Sequence, residues 1–138
     1  MTTAEKSKTR TITLTDRPPV KIREDEWPVI AHGSYSHHDN QYECQANRNW
    51  KMDVRVRQHA DGRAIVYGVY DYDTAFRHER GFLAKAGLVV DQGADLVDAI
   101  RTVGATIADA ASEAEHDFGA DISAAVRDCI AELPAQEL

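Results

Sequence analysis

Very few cysteines, prolines and long apolar runs occur in this 138-residue chain, and each shortage excludes something. Two cysteines cannot build a disulfide scaffold or a four-cysteine zinc site. No apolar run approaches the roughly 18–20 residues that a membrane-spanning helix requires. Residues 1–10 are polar and lack the apolar stretch of a secretory leader, so a reducing cytoplasm is the expected compartment. Aromatic residues make up only 7%. There is no Walker-type phosphate loop, no Gly-x-Gly-x-x-Gly after a strand and no Gly-x-Ser-x-Gly elbow. Catalysis and cofactor binding therefore have no motif in their favour.

What the chain does have is periodicity, with 43% hydrophobic and 28% charged residues. Residues 1–10 read as a disordered tail and 11–138 as a single domain. Thr11–Thr15 alternates like a strand, Pro18-Pro19 interrupts it, and Val20–Ile22 resumes as an edge strand. Acidic Glu24–Glu26 followed by Trp27, Ile30 and Ala31 at i, i+3 and i+4 predicts a short helix over about residues 24–32, closed by Gly33. Residues 34–40 form a loop or a strand entry, Tyr42–Cys44 a brief strand and Asn47–Asn49 a turn.

The strongest local signal is a hairpin. Trp50, Met52, Val54 and Val56 alternate with Lys51, Asp53, Arg55 and Arg57, Asp61-Gly62 suits a tight turn, and residues 64–72 return. A two-residue turn sets Val56 opposite Tyr67 and Val54 opposite Val69. That register gathers Trp50, Met52, Val54, Val56, Ile65, Tyr67 and Val69 on one face. Arg55, Arg57, His59, Val66, Tyr70 and Tyr72 then share the other. Phe82–Val90 supplies a last strand. Asp95 caps a helix carrying Leu96, Ile100, Val103, Ile107 and Ala111, which Phe118-Gly119 ends. Ile122, Ala125, Val126, Cys129, Ile130 and Leu133 stripe a second helix, stopped by Pro134. The expected fold is α+β: an antiparallel sheet of about four strands, with a short N-terminal helix and two C-terminal helices packed on one face.

Charge is uneven. Residues 1–90 hold 14 Lys and Arg against 12 Asp and Glu, whereas residues 91–138 hold only Arg101 and Arg127 against 11 acids. Acids on the two C-terminal helices either solvate outer faces or, as carboxylate rows, imitate a nucleic-acid backbone. The hairpin face is the candidate contact surface, with Arg55, Arg57, Arg63 and Tyr70 as partner-binding residues, because Arg and Tyr favour interfaces. The same face suits single-stranded nucleic acid as an alternative, and Arg stems lying over Tyr rings in water is the plain structural reading.

Metal-capable side chains are densest at His37-His38-Asp39, with His32 and Cys44 nearby, but neighbours on an extended segment point to opposite sides. Asp71, Asp73 and Glu79, with His78 between Arg77 and Arg80, form an acidic group past the hairpin. A small metal-dependent hydrolase built on either group is a further alternative; no metal or cofactor is assigned. Cys129, on an apolar stripe, is expected to be a buried thiol.

Trp27-Pro28, Gln45-Ala46-Asn47-Arg48 and the run Val56-Arg57-Gln58-His59-Ala60-Asp61-Gly62-Arg63-Ala64-Ile65-Val66-Tyr67-Gly68 resemble small accessory proteins carried on plasmids, phages and integrative elements of proteobacteria. The resemblance implies a non-enzymatic accessory role, such as an anti-defence inhibitor that binds a host protein or protein complex. It assigns no site residues. A membrane partner is not expected, and a homodimer through a hairpin edge or helix face is compatible with the sequence.

Overall fold

A computed structural model describes residues 8–39, 48–76 and 78–135. The expected strand at Tyr42–Cys44 and most of the tail lie outside them. Six strands and two helices follow in order: β1 (Thr9–Ile12), β2 (Val20–Arg23), β3 (Val29–Asp39), β4 (Arg48–Gln58), β5 (Ala64–Thr74), β6 (Phe82–Val90), α1 (Leu96–Glu113) and α2 (Gly119–Glu132). β3 to β6 form an antiparallel meander in chain order, and β1 pairs with β2 as a separate hairpin. The fold is thus α+β, with a four-stranded antiparallel sheet and two C-terminal helices packed on it. Among the described residues no helix is long and apolar enough to cross a membrane.

The expected N-terminal helix is absent. Residues 24–26 make a turn, with the Glu26 N–H donating to the Arg23 carbonyl at 3.0 Å and the Trp27 N–H to the Glu24 carbonyl at 3.3 Å. Pro28 disfavours helical backbone at Trp27, and Val29-Ile30 prefers a strand. The chain then runs straight into β3, which also absorbs residues 34–39. At its start Val29 faces Arg57 and Ala31 faces Val56, leaving Ile30 as the extra residue of a bulge. β1 likewise begins at Thr9, inside the stretch assigned to the tail.

The hairpin is present, but its register differs from expectation by one residue. Val56 pairs with Val66, Val54 with Gly68 and Met52 with Tyr70. The His59 carbonyl accepts from the Gly62 N–H at 2.9 Å, while the His59 N–H donates to the Arg63 carbonyl at 2.9 Å. Gly62 has φ +94°. This is a three-residue loop, Ala60–Gly62, closed by a glycine bulge. One residue more than the two-residue turn moves every β5 side chain to the opposite face. Val66, Tyr70 and Tyr72 therefore join Met52, Val54 and Val56, while Ile65, Tyr67 and Val69 share the arginine face.

Both faces of the sheet are used. On the front, Met52, Val54, Val56, Val66, Tyr70 and Ala86 pack against Ile100, Val103 and Ile107 of α1 and Ile122, Ala125 and Cys129 of α2. Each large apolar side chain enclosed this way contributes roughly 1.5–3 kcal/mol. On the back, the β1–β2 hairpin lays Ile12, Leu14, Ile22 and Trp27 over Ile65, with Tyr67 and Val89 at the margin. Thr15 fastens this cover to β6: its N–H donates to the Gly87 carbonyl at 2.9 Å, and its Oγ1 accepts from the Gly87 N–H at 3.1 Å.

α1 begins at the Asp95 cap, whose carboxylate accepts from the Asp98 N–H. It ends earlier than the Phe118-Gly119 pair predicts. The His116 N–H reaches the Ala111 carbonyl at 2.8 Å and the Glu115 N–H reaches Ser112 at 3.0 Å, with Glu115 at φ 63°. These bonds are a Schellman closure with a glutamate in the left-handed position that usually takes glycine. Gly119 instead opens α2.

Gly33 sets the seat of α2. A Cβ at Gly33 would stand 1.9 Å from the Ala125 carbonyl oxygen and 2.5 Å from the Cys129 nitrogen. Helix backbone therefore lies almost directly on strand backbone. Gly33→Ala is expected to cost at least about 2 kcal/mol by overpacking, read as a lower denaturant midpoint. An unchanged midpoint would show that α2 is not seated there.

Candidate partner-binding surface

The four residues expected to form one contact face are dispersed. Tyr70 has no exposed surface; its hydroxyl donates to Asp121 Oδ2 at 2.8 Å from beneath α2. Burial and the facing carboxylate push its phenol well above the ordinary range. Arg57 is 5% exposed. Its Nε donates to the Tyr67 hydroxyl at 2.8 Å and its Nη1 to the Trp27 carbonyl at 3.0 Å, with Glu24 3.7 Å from Nη2. It is an internal strut between the sheet and the β1–β2 cover. Arg63 is exposed, lies over the Trp27 ring and pairs with Asp61 at 2.8 Å. Arg55 is half-buried on the back face, opposite His32 and Tyr67.

The uncovered part of the back face is mixed in charge. Lys51 lies 3.6 Å from Asp53, and His32 Nε2 is 2.6 Å from the same carboxylate. Asp71 is opposite Lys51 and Asp73 opposite Asn49. Glu79 turns the other way, paired with Arg48 at 2.6 Å and accepting from the Tyr72 hydroxyl at 2.8 Å. The acidic group is thus split. His37 and His38 are split too: His37 packs at a tilt against Trp50, with ring centroids 5.1 Å apart, while His38 bonds Asn49. Among the described residues no three metal-capable side chains converge; Cys44 and Arg77 lie outside the described residues.

Beyond the helix ends the front face carries rings. Trp50 stacks on Tyr72 at 5.2 Å, Tyr70 on Phe118 at 4.4 Å, and His116 on Phe118 at 4.8 Å. This cluster closes the core beneath the α1–α2 connection. Cys129 is fully enclosed under α2, and burial pushes its thiol up to about 11.

A concave surface remains on the outside of the helical layer. Residues 114–118 fold α2 back along α1, and Gly104 meets Val126, where a Cβ would approach Val126 Cγ2 to 2.6 Å. Between the helices runs a groove of about 500 Å³, lined by Gly104, Ala105, Ala108, Ile122, Val126 and Ile130, with Arg101 and Arg127 among its walls. Among the described residues no carboxylate lines it. Both arginines are exposed and make no ion pair among the described residues. They are the only cations of residues 91–138. The signal was present in the sequence as two isolated arginines beside a second, small-residue stripe at Gly104, Ala105 and Ala108.

Comparisons of the chain with protein-family models, curated proteins and solved structures find no match.

Burial separates Arg55 from Arg57 experimentally. Arg57→Glu should lose about 3 kcal/mol, because it strands buried acceptors beside Glu24, whereas Arg55→Glu should shift the unfolding midpoint far less. Equal midpoints for the two variants would contradict the internal strut. Glu79 gives a pH signature. Its bonds from Arg48, then Tyr72, hold its carboxyl below the ordinary value of 4.5. A folded pKa below the unfolded one adds stability above 4.5 that fades as pH falls through the folded value. Glu79→Gln should therefore flatten the acid limb of stability against pH below 4.5; an unchanged limb would remove the contact from the acid response.

Proposed function

We propose that this chain acts by non-covalent binding to a protein partner, through the outer face of the α1–α2 hairpin. The observation that carries the reading is the groove itself, an apolar trough walled by two cations that have no ion-pair partner among the described residues, on an otherwise acidic helical layer. Apolar burial supplies affinity in such a trough, and unpaired guanidinium groups supply direction and discrimination. The Arg-and-Tyr hairpin face is a weaker support for binding, since Arg57 and Tyr70 are enclosed and Arg63 is already paired.

The resemblance to accessory proteins of mobile elements adds a setting: occupation of a host protein complex, with inhibition of a defence system as the specific form. Nucleic acid as a ligand of the hairpin loses support for the same reason the contact face does. The solvent side of that hairpin alternates cations with Asp53, Asp71 and Asp73, whereas a phosphate backbone requires a continuous basic track.

Affinity capture from a bacterial lysate tests the reading. Ala105→Trp, which fills the groove from an exposed helix position, should abolish capture of any partner held by the intact chain while leaving the unfolding midpoint near its original value. Lys85→Glu on the back of the sheet should capture as before. Undiminished capture by Ala105→Trp would rule the groove out as the binding surface.

A further inference from the structure

Resting on that reading, the geometry points to a definite occupant: we propose that the groove receives a short amphipathic helix of the partner, with the helix's carboxylate-bearing C-terminal end against Arg101 and Arg127. Three features of the groove lead to this occupant.

Length comes first. The groove runs from Arg101 to Ala108 on α1 and from Gly119 to Ile130 on α2. At 1.5 Å per residue these stretches span about 10 and 17 Å. That length matches two to three helical turns, hence apolar anchors at i, i+3 or i+4, and i+7. The floor comes second. Gly104, Ala105, Ala108, Gly119 and Ser123 are small, so they let a third helix approach to the close interaxial distance at which helices interlock. An extended strand would gain nothing here, because both walls are helices whose backbone groups are already bonded.

Charge sets the direction. α1 and α2 run in opposite senses, so Arg101, early in α1, and Arg127, late in α2, stand toward the same end of the trough. Two cations at one end of a helical groove complement the negative end of a docked helix, its C-terminus, with the last free carbonyls and any carboxylate there. Guanidinium groups also bind carboxylates through paired, charge-assisted hydrogen bonds. Asp109, Glu113 and Asp117 are exposed toward the opposite end of the helical pair, whereas Asp98 and Asp128 neighbour the arginines without lining the groove. Inside the groove, the arginine end is therefore the favoured place for negative charge.

The test uses the intact chain and a fluorescein-labelled, side-chain-stapled helical peptide of about four turns. The probe carries Leu at i, i+4 and i+7 and ends in Glu with a free C-terminal carboxylate. Its first comparison peptide ends in Gln with a C-terminal amide; its second carries the carboxylates at the N-terminal end. Fluorescence anisotropy should show the acid-ended probe binding at least about tenfold more tightly than either comparison peptide. That preference should vanish in the double variant Arg101→Gln, Arg127→Gln, and all binding should vanish in Ala105→Trp. Equal affinity for the three peptides, a preference that survives loss of both arginines, or no binding at millimolar peptide would each overturn the proposal. If any of these occurs while Ala105→Trp still abolishes lysate capture, the binding surface stands and only its occupant is wrong. If capture survives Ala105→Trp, the surface itself is wrong.

Discussion

Backbone-on-backbone contact between α2 and β3 at Gly33 governs the arrangement of everything above the sheet. With no Cβ in the way, the Ala125 carbonyl and the Cys129 amide come within reach of the strand, and the helix settles low enough for Cys129 to be sealed off. Gly68 does a related service one strand further on, where Val103 and Ile107 of α1 would crowd a Cβ at 3.1 and 3.2 Å. Two helices seated low and side by side then touch through Gly104. Their upper surfaces, relieved of bulky side chains, leave a trough. The candidate binding surface is thus a by-product of how closely helices can lie on this sheet.

Much of the fold was legible because its elements obey simple periods. The alternation in residues 50–57, the apolar run 82–90 and the two helical stripes all reappear as strands or helices at nearly the expected bounds. Three failures have separate physical origins. At Trp27, Ile30 and Ala31 a helical spacing arose by coincidence: Trp27 serves the back cluster and Ala31 the front core, with a proline and a bulge between them. At Asp61-Gly62 the dipeptide did mark a turn, but sequence does not show whether Gly62 is a central turn residue or a bulge residue behind the turn. That single ambiguity flips nine or more side chains. At the end of α1, Glu115 takes the left-handed conformation, so a search for glycine overshoots to residue 119.

The site suffered more than the fold from these errors, and for a reason of geometry. An expected contact face is a statement about which side each residue points, so a one-residue slip is fatal to it while barely disturbing strand assignment. Tyr70 moved from a supposed surface to the centre of the core. Arg57 kept its face but lost its exposure, because the β1–β2 hairpin covers that end of the sheet and a buried guanidinium is tolerable when a hydroxyl, a carbonyl and a nearby carboxylate surround it. The two arginines of the helical layer needed no register, only a count of cations along the last third of the chain, and that count was available from the start.

β3 and α2 meet at Gly33 although some ninety positions of chain separate Gly33 from Ala125 and Cys129. Loop closure of that span must be met before the contact stabilises anything. During synthesis the meander can hydrogen-bond strand to strand as it emerges and α1 can cover β5 and β6, but the β3–β4 side of its apolar front stays open to water until α2 leaves the ribosome. A nascent chain stalled before residue 125 would hence leave the β3–β4 side of the front, with Ala31, Met52 and Val54, open to chaperones and proteases until α2 settles on it.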